Sequence, residues 1–173
     1  SRDEDFYKYS LLHSESINSE KTQKAEILSL VDTAVQISDF NPVDSSWYWV
    51  EVEDIHGYRS QGSGYFVIDD APQASTLSSI EFSDSLFIIN WTPNDESDFQ
   101  SYSLFESNDP EMYSSIKIFE TDDISTTNFL HNQISNNQYR YYKLIVRDHW
   151  DLSAESNVET GCSWLLFNNV YQE

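Results

Sequence analysis

Residues 5–14 read DFYKYSLLHS, and residues 98–107 read DFQSYSLFES, which is the same pattern at an offset of 93. A second pair of stretches agrees with the first, since YWVEVED at 48–54 returns as YKLIVRD at 142–148, at an offset of 94. A period of this length corresponds to a whole small domain, beyond the length of common solenoid repeats. The sequence therefore predicts two copies of one module in tandem.

The two copies differ in what precedes the shared pattern. The apolar run LFIINW at 86–91 comes before the second copy, whereas only four residues come before Asp5. We therefore expect the first module to lack its opening strands and the chain to be a fragment of a longer array. The predicted organisation is a partial module at 1–70, a complete module at 71–160, and a linker or the start of a next module at 161–173.

Charge argues against two classes of partner, nucleic acid and membrane surfaces. Thirty acidic and nine basic residues give a net charge of −21, which repels the phosphate backbone of nucleic acid and anionic lipid. No apolar run approaches the roughly 18 residues that a membrane span requires. Cys162 is the single cysteine, so no intrachain disulfide is possible and stability must come from core packing.

Apolar residues alternate with polar ones in the repeated stretches, which indicates half-buried strands. Residues 24–31 have a spacing that a helix would also satisfy, but Ile27 and the alternation at 33–37 favour strands. Seven short strands separated by turn residues are typical of a two-sheet antiparallel sandwich, so the predicted fold class is all-β. In the second copy the strands are predicted at 79–82, 86–91, 100–107, 115–120, 126–131, 139–148 and 154–159.

These segments resemble the fibronectin type III modules of bacterial extracellular proteins, a family of immunoglobulin-like β-sandwiches. The resemblance rests on Trp91 in the second strand, the entry Asp98-Phe99-x-x-Tyr102 to the third and the pattern at 142–148. It covers most of 76–160, and in the first copy 3–68 without the tryptophan strand. It implies a secreted or cell-surface location and a Trp91 side chain that fills the space between the sheets. It also places Gly57 and Asp151 at the same hairpin turn, where a left-handed backbone is needed.

Acidic residues after the tryptophan strand are weak candidates for calcium binding. They are Asp95, Glu96 and Asp98, and calcium requires six to eight oxygen ligands. No Asp-x-Asp-x-Asp-Gly pattern is present, and an aspartate before a strand often only closes a turn. We therefore prefer a structural turn, predict no cofactor, and keep calcium-rigidified linkage between modules as a third hypothesis.

Catalytic motifs are missing from the sequence. The four histidines (His13, His56, His131 and His149) show no zinc-binding spacing, and no Gly-x-Ser-x-Gly elbow or phosphate-binding glycine loop is present. The chain is therefore predicted not to be an enzyme.

Aromatic residues give the best indication of a binding surface. If Tyr48, Val50, Tyr142 and Leu144 face the core, five aromatic side chains fall at outward or loop positions, namely Trp47, Trp49, Tyr58, Tyr141 and Trp150. Such rings either bind a protein or glycan ligand, or only pack over a sheet. The predicted function is a structural spacer or a protein-binding or adhesion module that also contacts neighbouring modules of its own chain. The alternative is an accessory glycan-binding region of a polysaccharide-degrading enzyme.

Overall fold

The computed structural model describes residues 4–132 and 138–163. The chain divides into two compact units, Ser1–Asp70 and Ala71–Glu173, which are called unit 1 and unit 2 below. Every regular element among the described residues is a β-strand in an antiparallel ladder, which confirms the all-β fold class. In the same residues we find no helix of the length and apolar character needed to cross a membrane.

Unit 2 is a two-sheet β-sandwich, as the repeat predicts. One sheet has the strand order β10-β7-β6, and the other has the order β12-β11-β8-β9 with β13 also paired to β11. The strands are β6 Glu81–Ser83, β7 Leu86–Asn90, β8 Phe99–Ser107, β9 Ile116–Thr121, β10 Asn128–His131, β11 Tyr139–Asp148, β12 Ser153–Glu155 and β13 Glu159–Cys162.

The two sheets of unit 2 enclose a closely packed core. Trp91 is 4% exposed and its ring centroid lies 5.8 Å from that of Tyr102, so the predicted position of Trp91 between the sheets is confirmed. At about 25 cal/mol per Å² over about 200 Å², burial of such a side chain contributes about 5 kcal/mol. The core residues without any exposed surface are Phe87, Ile89, Tyr102, Leu104, Tyr142, Leu144 and Val146.

Unit 1 contains a single sheet that repeats one half of unit 2. The strand order is β2-β1-β3-β4, and β5 also pairs with β3. The central pair keeps its register between the copies, since Tyr9 faces Val52 as Tyr102 faces Val146. No second sheet occurs among residues 4–70, as expected for a module that lacks its opening strands. The strands are β1 Phe6–Ser14, β2 Thr22–Ile27, β3 Ser46–Asp54, β4 Arg59–Gln61 and β5 Tyr65–Val67.

The sheet face that builds the core of unit 2 is open in unit 1. Val50 is 53% exposed, whereas its repeat counterpart Leu144 is fully buried. Residues 34–37 occupy the repeat position of β10 but form no strand, so the strand predicted from the alternation at 33–37 is wrong. Since β10 pairs with β7, and the described part of unit 1 has no counterpart of β7, this stretch has no ladder to join.

The end of unit 2 also differs from the prediction. The strand expected at 154–159 is split into β12 and β13, because the side-chain hydroxyl of Ser156 accepts the Leu144 amide at 2.9 Å in place of a backbone carbonyl. β13 then continues to Cys162 opposite Tyr139, two residues past the module end predicted at 160. Residues 164–173 of the predicted linker lie outside the described residues. The β2 strand at Thr22–Ile27 decides the earlier ambiguity at 24–31 against a helix.

One aspartate closes the same hairpin in both units. Asp54 Oδ1 accepts hydrogen bonds from the amides two and four residues later, at 2.8 and 2.9 Å. Asp148 Oδ1 accepts the equivalent pair, also at 2.8 and 2.9 Å. Gly57 has a φ of 84° and Asp151 a φ of 67°, which confirms that both positions need the left-handed backbone.

Candidate functional site

The outward face of unit 1 carries the largest aromatic cluster among the predicted binding residues. The Trp47 ring centroid lies 6.1 Å from that of Trp49 and 5.2 Å from that of Phe66. Phe66 is 45% exposed and Trp47 is half-buried. The sequence pattern does not reveal Phe66, because its position depends on the short strand β5, which brings it opposite Trp47.

Trp49 is not available to a ligand, which corrects the expectation that it is exposed. The Lys21 ammonium lies 4.1 Å from the centroid of the Trp49 ring, a cation–π contact, and the residue is only 6% exposed. On its edge, a Cβ atom at Gly64 would lie 2.6 Å from Trp49 Nε1, closer than van der Waals contact allows. A lysine and a glycine therefore cover Trp49, so it packs over its own sheet.

The other three aromatic candidates do not join this cluster within their units. Tyr58 is 77% exposed and lies in the Asp54 hairpin, after the last residue of β3. Trp47 lies near the first residue of the same strand. Tyr141 and Trp150 are both half-buried, one near the start of β11 and the other beyond its last residue. Within unit 1, the structure therefore brings Trp47 and Trp49 together and leaves Tyr58 apart from them.

The acidic loop before β8 divides its residues between two environments. Glu96 closes the loop, since its Oε1 accepts the Gln73 amide at 2.5 Å and its own amide donates to Asn94 Oδ1 at 2.9 Å. Asp95 is exposed. Asp98 lies instead beside Asp148, at the end of the β8–β11 ladder. The predicted calcium candidates therefore do not converge on one another.

A buried polar cluster joins the two sheets of unit 2. His131 on β10 is 7% exposed, and its Nδ1 lies 3.1 Å from the Tyr142 hydroxyl and 3.2 Å from Glu106 Oε2. Arg140 Nε pairs with the other oxygen of Glu106 at 2.8 Å. Burial lowers the pKa of His131, against the opposite effect of Glu106, and burial raises the pKa of Tyr142. No local motif signals this cluster, because its members come from three strands.

Acidification is expected to destabilise unit 2 through His131. The folded-state pKa lies below the ordinary value of 6.5, so the unfolded chain takes up the proton first as the pH falls. The stabilising contribution is fully present above pH 6.5 and is lost as the pH falls toward the folded-state pKa. Urea unfolding of the wild type and His131→Gln between pH 8 and 5 should show a weaker pH dependence in the variant. His149→Gln, at an exposed position, is the control; an equal change in both variants would contradict the assignment.

A groove of about 520 Å³ crosses one end of the unit 1 sheet. The Lys24 ammonium pairs with Asp39 Oδ2 at 2.5 Å, and His13 Nε2 lies 3.1 Å from Ser46 Oγ. The hydrogen bond with Asp39 raises the pKa of Lys24, and the pKa of Asp39 is lowered in turn. The ion pair holds the segment that follows β2 against the sheet, which is a structural role.

The strand pairing and the shared hairpin define an all-β protein whose second unit is an antiparallel β-sandwich. No family model matches the chain, and no curated protein matches it. Among solved structures, the FN1–FN3 domains of chicken CNTN1 share 13% identity at a TM-score of 0.49, over 93% of this chain and 57% of that one. The chicken interferon gamma receptor alpha chain shares 13% identity at a TM-score of 0.47, over 95% of this chain and 88% of that one.

A pectate lyase from Pectobacterium carotovorum is similar over part of the chain only. It shares 16% identity at a TM-score of 0.46, and the match covers 51% of this chain. The chain spans 27% of the length of that enzyme.

Proposed function

We propose that this chain is a non-catalytic structural spacer of a secreted or cell-surface protein. The observation that carries the proposal is the repetition, in both units, of a two-strand ladder whose second strand ends in an aspartate-capped hairpin. Each copy uses the same aspartate, Asp54 or Asp148, to bind two amides of its own turn. The feature that the two copies share is therefore a hydrogen-bonded turn that stabilises the backbone, which is a structural role.

The groups that most resemble catalytic residues also serve the fold. His131 bridges two sheets through Glu106 and Tyr142, and His13 pairs with Ser46. Glu96 binds a loop amide. These bonds support a role in which the chain positions other domains and does not transform a substrate.

Mechanical unfolding of the full chain tests the spacer function. Because the unit 2 ladder β8–β11 must break as a whole, stretching between the chain ends should give one cooperative force peak for this unit. The peak should release about 300 Å of chain for its roughly ninety residues. Gradual extension without a resolvable peak would contradict the role of a mechanically stable spacer. Hydrolysis of any member of a polysaccharide panel by the purified chain would contradict the non-catalytic assignment.

A second candidate function, protein binding, is favoured by the aromatic strip Trp47–Phe66. Phe66 is 45% exposed and lies opposite Trp47 on a short strand whose pairing among the described residues is with β3 alone. The rings of Trp47 and Phe66 are inclined by 48°, which suits an irregular protein surface better than a flat sugar ring.

An array of purified extracellular proteins and glycans separates the possible ligands. Protein binding through the strip should be lost in Phe66→Ala and retained in Tyr113→Ala, since Tyr113 is an 84% exposed residue of unit 2. Binding to glycans only would support the accessory glycan-binding alternative. Equal binding by both variants would exclude the strip as the contact surface.

A further inference from the structure

Two carboxylates of unit 2 meet at the end of the β8–β11 ladder. Asp98 immediately precedes β8 and Asp148 ends β11, and the amide of His149 donates to the Asp98 carbonyl at 2.9 Å. This backbone bond holds the two strand ends together. As a result, a carboxylate oxygen of Asp98 and one of Asp148 lie within 4.8 Å of each other.

Asp148 presents a carboxylate oxygen for which the described residues provide no partner. The residue is 1% exposed, and its Oδ1 accepts both hairpin amides. Its Oδ2 is buried and forms no hydrogen bond with any described group. Leaving a buried charged oxygen unpaired is costly, so a protein normally supplies a counter-charge.

Among the described residues, no basic side chain neutralises these two carboxylates. Neither Asp98 nor Asp148 forms an ion pair with lysine, arginine or histidine there, while the neighbouring Arg147 pairs with Asp151 at 3.4 Å. Two carboxylates at this separation repel each other, and the net charge of −21 adds to the local negative potential.

We propose that Asp98 and Asp148 bind a hard divalent cation, Ca²⁺, at this end of unit 2. Calcium binds carboxylate oxygens at about 2.3–2.6 Å, so one ion bridges two oxygens up to about 5 Å apart. Asp98 and Asp148 contribute one carboxylate each, so further oxygen ligands, water among them, complete the coordination, and the affinity falls in the millimolar range typical of extracellular modules. This inference does not depend on the spacer function.

Unit 1 provides an internal comparison. Asp5 and Asp54 are the repeat counterparts, and the same backbone bond is present, from the Ile55 amide to the Asp5 carbonyl at 2.8 Å. Asp54 caps its hairpin in the same way but is only half-buried. The cap is therefore common to both units, whereas of the two cap aspartates Asp148 is the one with a buried carboxylate oxygen that no described group binds. Capping of the hairpin alone therefore does not explain the buried, unpaired oxygen of Asp148.

Terbium luminescence and thermal melts of the full chain test the site. Excitation of Trp150, two residues after Asp148, should sensitise bound Tb³⁺, and Ca²⁺ should displace it. Calcium at 10-fold above its dissociation constant should raise the melting temperature of unit 2 by about 5 °C. Asp148→Asn keeps an oxygen for the hairpin amides, so it should remain folded while losing the shift, and Asp98→Asn should lose it as well.

The matched control is Asp54→Asn in unit 1, which should retain both signals. Magnesium and raised sodium chloride measure non-specific attraction to the acidic surface. A calcium shift that survives Asp98→Asn, or that magnesium and salt reproduce, would overturn the proposal in favour of diffuse cation binding. The absence of any shift or luminescence at 20 mM Ca²⁺ would overturn it outright.

Discussion

Replacement of Leu144 by alanine is expected to lower the free energy of unfolding of unit 2 by about 2–5 kcal/mol. Leu144 has no exposed surface and lies between the two sheets, so the truncation removes buried apolar area and leaves a cavity. Its repeat counterpart, Val50, is 53% exposed. Val50→Ala should therefore change the stability of unit 1 by about 0.5 kcal/mol, the range of ordinary surface substitutions.

Native-state hydrogen exchange separates the two units in this comparison. The exchange rates of β11 amides report on unit 2, and those of β3 amides report on unit 1. The rates in each of the two variants are compared with those in the wild type. Similar losses in both units would show that the Val50 face is covered in solution. That outcome would contradict the open sheet face of unit 1.

Sequence periodicity predicts most of the fold because the two copies constrain each other. A strand is recognised twice where the repeat is intact, as at 5–14 and 98–107, and both became strands of a ladder in the same register. The prediction was wrong at 33–37, where the alternation is strand-like but no strand partner is present. An alternating pattern shows that a segment is able to form a strand. Whether the strand forms depends on a partner strand elsewhere in the chain.

The candidate site was less accessible to sequence reasoning. The period of two correctly places Trp49 on the outward face of its strand, but it does not reveal that Lys21 and Gly64 cover the ring. Likewise Asp98 was recognised as acidic, and its neighbour Asp148 only as the end of a strand. Their proximity depends on the register of β8 against β11, which brings together positions fifty residues apart.

Removal of the Tyr102 hydroxyl is expected to destabilise unit 2 by about 1–3 kcal/mol. The hydroxyl accepts the Asn94 amide at 2.6 Å and lies 3.4 Å from the Ile124 carbonyl, in a side chain with no exposed surface. Tyr102→Phe keeps the ring and its packing but leaves the Asn94 amide buried without an acceptor. The loss of stability includes the cost of a buried amide left without an acceptor. It therefore exceeds the net contribution of the hydrogen bond itself.

Tyr9→Phe is the matched control, because Tyr9 occupies the same repeat position in unit 1. Its hydroxyl forms no hydrogen bond with the residues described there, so this substitution should change stability by about 0.5 kcal/mol. Urea unfolding measures both variants, and hydrogen exchange at Asn94 should accelerate in Tyr102→Phe before global unfolding. If Asn94 keeps its protection in Tyr102→Phe, the hydroxyl does not hold the loop. In that case the fixed geometry of residues 94–98, and with it the position of Asp98 beside Asp148, must come from the Asn94 and Glu96 side chains instead.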